Sequence, residues 1–164
     1  MSESGPHVSE EARNRIGHEI GVQTFEPVSM RHIKEYMAGT GDWNPLHWDE
    51  EVAAVSRHGR VVAPALMFQT VCREIVPEST LLPDGQHASL GVEGVTGRTV
   101  LAGQEIELGE PVHVGDVLTL RERLLSIEEK QGRSGPLVIV TTEERYTSEP
   151  DVFVARTVTT RIFR

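Results

Sequence analysis

Apolar positions along this chain change period near its middle, separating a helical half from a strand-rich half. Residues 1–20 are polar and acidic without a sustained apolar period, which predicts a tail or a short amphipathic segment that packs late. A strand-like run from Val22 to Val28 gives way at Ser29, a residue type that caps helices by accepting from free N–H groups of the first turn. A helix is expected from there through Ala38, stopped by Gly39 and Gly41. Asp49, Glu50 and Glu51 open a short helix reaching about Ser56, and His58, Gly59 and Arg60 mark a loop. Residues 63–76, APALMFQTVCREIV, begin with Pro64 in a first turn and set Phe68, Val71, Cys72 and Ile75 on one face, predicting a buried helix.

In the second half, segments 88–97, 99–110, 115–128, 136–148 and 152–163 alternate or run β-branched between Gly, Pro and Asp breaks, and read as strands. Leu137–Thr147 and Val152–Phe163 flank Ser148-Glu149-Pro150-Asp151 and predict an antiparallel hairpin. This order predicts an α+β fold, one main helix lying across a curved antiparallel sheet, in a single domain over residues 21–164 after the tail. One helix covers only part of a sheet face, so a second copy or a similar partner is expected to shield the rest.

A chain of 164 residues can bury a core without metal or disulfide staples. Cys72 is the single cysteine, which excludes an intrachain disulfide. The polar start lacks the basic and apolar regions of an export signal, and no apolar run approaches the ~20 residues of a membrane span. A cytoplasmic protein without membrane attachment is expected. The net charge of -9 should repel a nucleic-acid backbone, although local cations can still hold a small anionic ligand.

The most informative stretch is Gly41–His47, GDWNPLH. Asp42 and His47 supply two acid/base groups, and the turn formers Asn44-Pro45 between them can bend the pair together around a water. Pro45 restricts its own φ and pushes Asn44 out of the helical region, so the loop is held in few shapes. Asn44 has two readings, a hydrogen-bond partner for substrate or the Asx-turn residue of the loop. A third group is the N-terminus of the helix opening at Ala63-Pro64, and because Pro64 has no N–H the expected oxyanion donor is Ala65. An acid/base pair beside such a donor is what adding water to an α,β-unsaturated thioester requires.

Other residues narrow the field. His32, His58, His87 and His113 lack metal-ligand spacing, and neither CxxC nor HExxH occurs, so no metal site is expected. Gly85, Gly91, Gly94 and Gly97 do not form a dinucleotide-binding GxGxxG. Trp43 and Trp48 read as packing the loop on the sheet, with the lining of an acyl channel as the alternative. Arg60 and Arg98 read as solvated surface cations rather than phosphate ligands.

The segment TGDWNPLHWDEEVA resembles the signature of MaoC-like hydratases, a hot-dog-fold group that includes (R)-specific enoyl-CoA hydratases and 3-hydroxyacyl dehydratases. Its D-x-N-P-x-H falls on Asp42, Asn44 and His47, and a following acid falls on Asp49. RVVAPALMF is similar to the start of the family's central helix, closest to the FAS1-like dehydratase or MaoC N-terminal branch, and EPVHVGDVL resembles one of its strand beginnings. The resemblance implies a sheet wrapped around one long central helix and a homodimer or a heterodimer with another hot-dog protein. It also implies coenzyme A or acyl-carrier thioester substrates, with no separate cofactor. Many relatives carry His-Gly where this chain has Pro64-Ala65, and the extra methyl of Ala65 narrows the channel or shifts the oxyanion contact. Some members work as heteromers in which one hot-dog lacks the acid/base pair, and retention of Asp42 and His47 makes this chain the catalytic member. A hot-dog thioesterase and a noncatalytic thioester-binding subunit remain the competing readings. Which of Asp42 and His47 protonates Cα stays open, because coupled groups titrate as a pair.

Overall fold

A computed structural model describes residues 6–73, 75–81, 85 and 92–164. The first half holds strand β1 (His7–Val8), helix α1 (Glu10–Asn14), strand β2 (Glu19–Thr24) and helix α2 (Met30–Thr40). A 3₁₀ turn at Pro45–His47, helix α3 (Glu50–Ala54) and helix α4 (Phe68–Val71) follow. Strands β3 (Val95–Thr96), β4 (Thr99–Leu108), β5 (Leu118–Gly132), β6 (Gly135–Ser148) and β7 (Val152–Phe163) complete the chain. The five longer strands form one antiparallel sheet in the order β2-β5-β6-β7-β4, and β1 pairs separately with β3. None of the described helices is long and apolar enough to cross a membrane.

The predicted hairpin is present as β6 and β7, with Ser148 opposite Val152 across the turn. The first strand begins earlier than the apolar run suggested, at Glu19 rather than Val22, and ends at Thr24 short of Pro27, which cannot donate to a ladder. α2 is capped as expected: Ser29 Oγ accepts from the His32 N–H and His32 Nδ1 accepts from the Ser29 N–H, each at 3.2 Å. It runs through Gly39 and stops only at Gly41. Of the expected strand over 88–97, residues 88–91 lie outside the described residues, and Val95–Thr96 forms the short β3.

The expected long helix over 63–76 needs correction. Among the described residues of this segment, regular helix covers Phe68–Val71, and Cys72 leaves it with ψ 40°. Pro77 disfavours the helical region at Val76, and β-branched Thr70, Val71, Ile75 and Val76 lower helix propensity throughout. Phe68 and Cys72 are buried and Val71 half-buried, as the periodicity predicts, but Ile75 lies fully exposed. α4 still meets the sheet, because the Phe68 ring packs edge-on against Tyr146 of β6 with centroids 4.6 Å apart.

Two apolar clusters sit on the sheet. One joins Ile33 and Met37 of α2, Met67, Phe68 and Cys72 to Leu118, Tyr146 and Ala155. The other joins Leu124, Val138, Val140 and Phe163 to Val8 and Ala12. Residues 6–20 thus contain a short amphipathic element, α1, capped by Ser9 and fixed in the second cluster through Ala12. Between the clusters runs a polar row in which Glu122 lies opposite Glu144 and Glu144 opposite Thr157, with Thr142 and Thr159 in the next row.

Candidate active site

The site starts where α2 stops. Gly41 takes φ 73°, a left-handed conformation that glycine adopts without strain, and its N–H closes on the Met37 carbonyl at 2.8 Å. Asp42 is the next side chain. Its Oδ1 accepts from the Asn44 N–H at 3.2 Å, and Asn44 Oδ1 accepts from the Leu46 N–H at 3.1 Å. These successive Asx turns, with Pro45 at the first position, wind the chain into the 3₁₀ turn that buries His47. Asn44 therefore caps the turn, the structural member of its two readings. Asp49 acts likewise for α3, its Oδ1 accepting from the Glu51 and Val52 N–H groups.

A distant segment orients the histidine. The Val62 N–H donates to the Leu46 carbonyl at 3.2 Å, and the Val62 carbonyl lies 2.7 Å from His47 Nδ1. A carbonyl only accepts, so Nδ1 carries a ring proton, and Nε2 presents a lone pair when the ring is neutral. Nε2 stands 3.6 Å from Asp42 Oδ2, whose side chain is 47% exposed while that of His47 is 10% exposed. Two facing acceptors do not bond each other. A small molecule with two donor hydrogens, placed off the line joining them, bonds both. Sequence reasoning had no signal for Val62, because a backbone carbonyl acts irrespective of its side chain.

Val62 also carries the chain toward the proposed donor. The Ala63 N–H is tied to the Val112 carbonyl at 2.8 Å, Pro64 is buried, and Ala65 and Leu66 face solvent. The Met67 N–H bonds the Pro64 carbonyl, whereas the Ala65 and Leu66 N–H groups bond nothing among the described residues. Because α4 begins at Phe68 and has four residues, Ala65 lies in a turn ahead of it, and the expected helix-dipole assistance at Ala65 is corrected to a free backbone N–H. Trp43 and Trp48 are 60% and 46% exposed, so they do not pack the loop on the sheet; the Trp48 indole N–H reaches the Trp43 carbonyl at 3.4 Å. A groove of about 900 Å³ opens beside the last turn of α2, lined by Phe25, Tyr36, Thr40, Met67, Val71 and Arg73 among others.

Comparison with known proteins agrees with this architecture. The profile of the FAS1-like, dehydratase domain region matches residues 14–157. A probable enoyl-CoA hydratase alpha subunit of Thermomonospora curvata is 29% identical over 136 residues, 79% of this chain and 43% of that one. The chain thus spans less than half the length of this relative. Among solved structures, one from the ChsH1-ChsH2 complex of Mycobacterium tuberculosis superposes with TM-score 0.72 at 16% identity, covering 94% of this chain and 89% of that one. A MaoC-like dehydratase from Rhodospirillum rubrum superposes with TM-score 0.61 at 24% identity, covering 88% and 91%. Those identities speak of fold alone, and the fold is the hot-dog arrangement of α+β class. Since the profile spans most of its length, the chain belongs to the FAS1-like dehydratase-region family of MaoC-like hydratases and dehydratases.

Proposed function

We propose that this protein adds water to, or removes it from, the α,β double bond of an acyl thioester, with Asp42 and His47 as its acid/base pair. One observation carries the reading: His47 commits Nδ1 to the Val62 carbonyl and turns the Nε2 lone pair toward Asp42 Oδ2, 3.6 Å away. A water bonding both acceptors has each hydrogen directed at a base and an oxygen lone pair left for Cβ. As the water adds, one of the pair takes its proton and the pair returns a proton to Cα; dehydration is the reverse. The enolate oxygen accepts from the free Ala65 N–H, next to a Pro64 that offers no competing donor. Asn44 holds the loop against the substrate, and the acyl chain runs toward the groove between α2 and α4.

The thioester is carried by coenzyme A or an acyl-carrier arm, and no separate cofactor enters the chemistry. The partner is a second hot-dog chain, identical or similar. β4 forms a ten-residue sheet edge that is open among the described residues and exposes Val100, Leu101, Ile106 and Leu108, the kind of edge that soluble proteins cover by pairing. A free Cys72 thiol suits a cytoplasmic setting.

The test is loss of the enoyl-thioester absorbance with crotonyl-CoA and longer enoyl-CoAs, for the wild type beside Asp42→Asn and His47→Gln. Each variant should lose on the order of 10² to 10⁴ in turnover. Hydrolysis without hydration would move the reading to a thioesterase. Silence of the folded wild type on every chain length, alone and with hot-dog partners, would leave a binding subunit.

A further inference from the structure

The turn from His113 to Asp116 holds a buried hydrogen-bond arrangement that the hydration chemistry above does not use. The turn closes through its backbone alone, the Asp116 N–H donating to the His113 carbonyl at 3.2 Å with Gly115 at φ 93°. The Asp116 carboxylate is not needed for that closure, and its Oδ2 accepts from the His113 N–H at 2.8 Å. That N–H shares a peptide group with the Val112 carbonyl, which accepts from the Ala63 N–H at 2.8 Å. The Ala63 N–H shares a peptide group with the Val62 carbonyl, 2.7 Å from His47 Nδ1. Two peptide groups thus link the His47 ring to the Asp116 carboxylate by three hydrogen bonds that all run in the same sense. Such chains polarise, and a charge on the last acceptor makes each carbonyl behind it a stronger acceptor. The link is sheltered, since the side chains of His47, His113 and Asp116 are 10%, 13% and 22% exposed. The His113 ring stands 3.7 Å from Asp116 Oδ2, and burial first, then Arg60, hold its proton affinity below the ordinary histidine value against the pull of Asp116. A neutral ring there leaves the carboxylate its charge. The same turn anchors the element that delivers Asp42. The Val28 N–H donates to the Asp116 carbonyl at 2.9 Å and the Val28 carbonyl accepts from the Gly115 N–H at 2.7 Å. Val28 precedes Ser29, the cap of the helix α2 that stops at Gly41 beside Asp42.

We propose that Asp116 is a positioning residue for His47, acting through the Val112–His113 and Val62–Ala63 peptide groups. This rests on the reading of Asp42 and His47 as the acid/base pair. The carboxylate charge strengthens the Val62 carbonyl as an acceptor, which keeps the Nδ1 proton in place and Nε2 toward Asp42. When Nε2 takes the proton of the attacking water, the positive charge that appears on the ring is met by that carbonyl. No proton travels along the link, because the peptide groups keep their own hydrogens and only polarise. Asp116→Asn keeps an acceptor oxygen for the His113 N–H and loses the charge, so it separates this role from simple satisfaction of a buried N–H.

Nuclear magnetic resonance of the full chain, with isotope-labelled histidine rings and backbone amides, tests this without relying on turnover; the His47 ring is assigned by its loss in His47→Gln. In the wild type the neutral His47 ring should carry its proton on Nδ1, as a downfield, slowly exchanging resonance. In Asp116→Asn, with circular dichroism matching the wild type, this proton and the Ala63 amide proton should both move upfield, and the ring should gain the Nε2–H tautomer. Asp116→Ala should do the same. In parallel, kcat for crotonyl-CoA should fall about tenfold in Asp116→Asn with KM unchanged. A wild-type ring protonated on Nε2 overturns the proposal without any variant. So does an Asp116→Asn protein whose shifts stop at the His113 amide, whose turnover equals that of the wild type, or whose loss lies in KM alone. Movement of the His47 and Ala63 protons in a protein whose wild type hydrates no enoyl thioester instead overturns the hydratase reading and leaves the link from Asp116 to His47 standing.

Discussion

Replacing Glu122 by Gln should flatten the dependence of stability on pH between about 5 and 8. Glu122 faces Glu144 across the β5–β6 ladder, in the polar row between the two apolar clusters. Burial first and the Glu144 charge second push its carboxyl up from the ordinary 4.5 to about 7, against the opposing pull of Arg161, Arg73 and Arg15. The folded state therefore binds a proton here that the unfolded chain has released. Stability from this group is fully present below the unfolded value and falls as pH rises through the folded value. At ~1.36 kcal/mol per pH unit the displacement corresponds to roughly 3 kcal/mol, and partial exposure of the side chain reduces the expected loss to about 1–3 kcal/mol. Gln keeps the shape and the hydrogen-bonding capacity of the protonated acid and cannot ionise. Urea unfolding of both proteins at several pH values from 5 to 8 measures the effect. The gap in stability, variant over wild type, should widen with pH and level off above the folded value. Parallel curves, or a gap that narrows with pH, would refute the assignment of a proton to Glu122.

Other outcomes follow from the same row and its neighbours. Tyr146→Phe removes the hydroxyl that donates to Glu144 Oε2 at 2.6 Å while keeping the ring against Phe68, and should cost about 1.5–3 kcal/mol in urea denaturation. Burial, opposed by Arg73, pushes the Cys72 thiol up to about 12, so a chromogenic disulfide reagent at pH 8 should leave the native protein unmodified and titrate one thiol after unfolding. Gly109→Ala would drive a methyl into the Phe153 carbonyl oxygen and ring where β4 ends against β7, and should lower stability by about 1–3 kcal/mol in thermal unfolding.

The sequence by itself determined the four long strands of the second half, the β6–β7 hairpin, the Ser29 cap of α2 and the loop that brings Asp42 near His47, whereas the expected strand over 88–97 amounts, among the described residues, to Val95–Thr96. Each rests on local rules of alternation, turn chemistry or capping that act within a few residues. The periodicity of residues 63–76 described burial at Phe68 and Cys72 correctly but overstated the helix, because an apolar face shows which side packs and not how long the backbone stays helical. What only the tertiary structure decided involves partners far apart in the chain. The His47 tautomer depends on the Val62 carbonyl, the packing of α1 on a strand cluster that closes more than a hundred residues later, and the proton on Glu122 on burial in the sheet and then on the facing Glu144. Protonation and charge clustering depend on distance through space, and the fold sets those distances across separations that no local window spans.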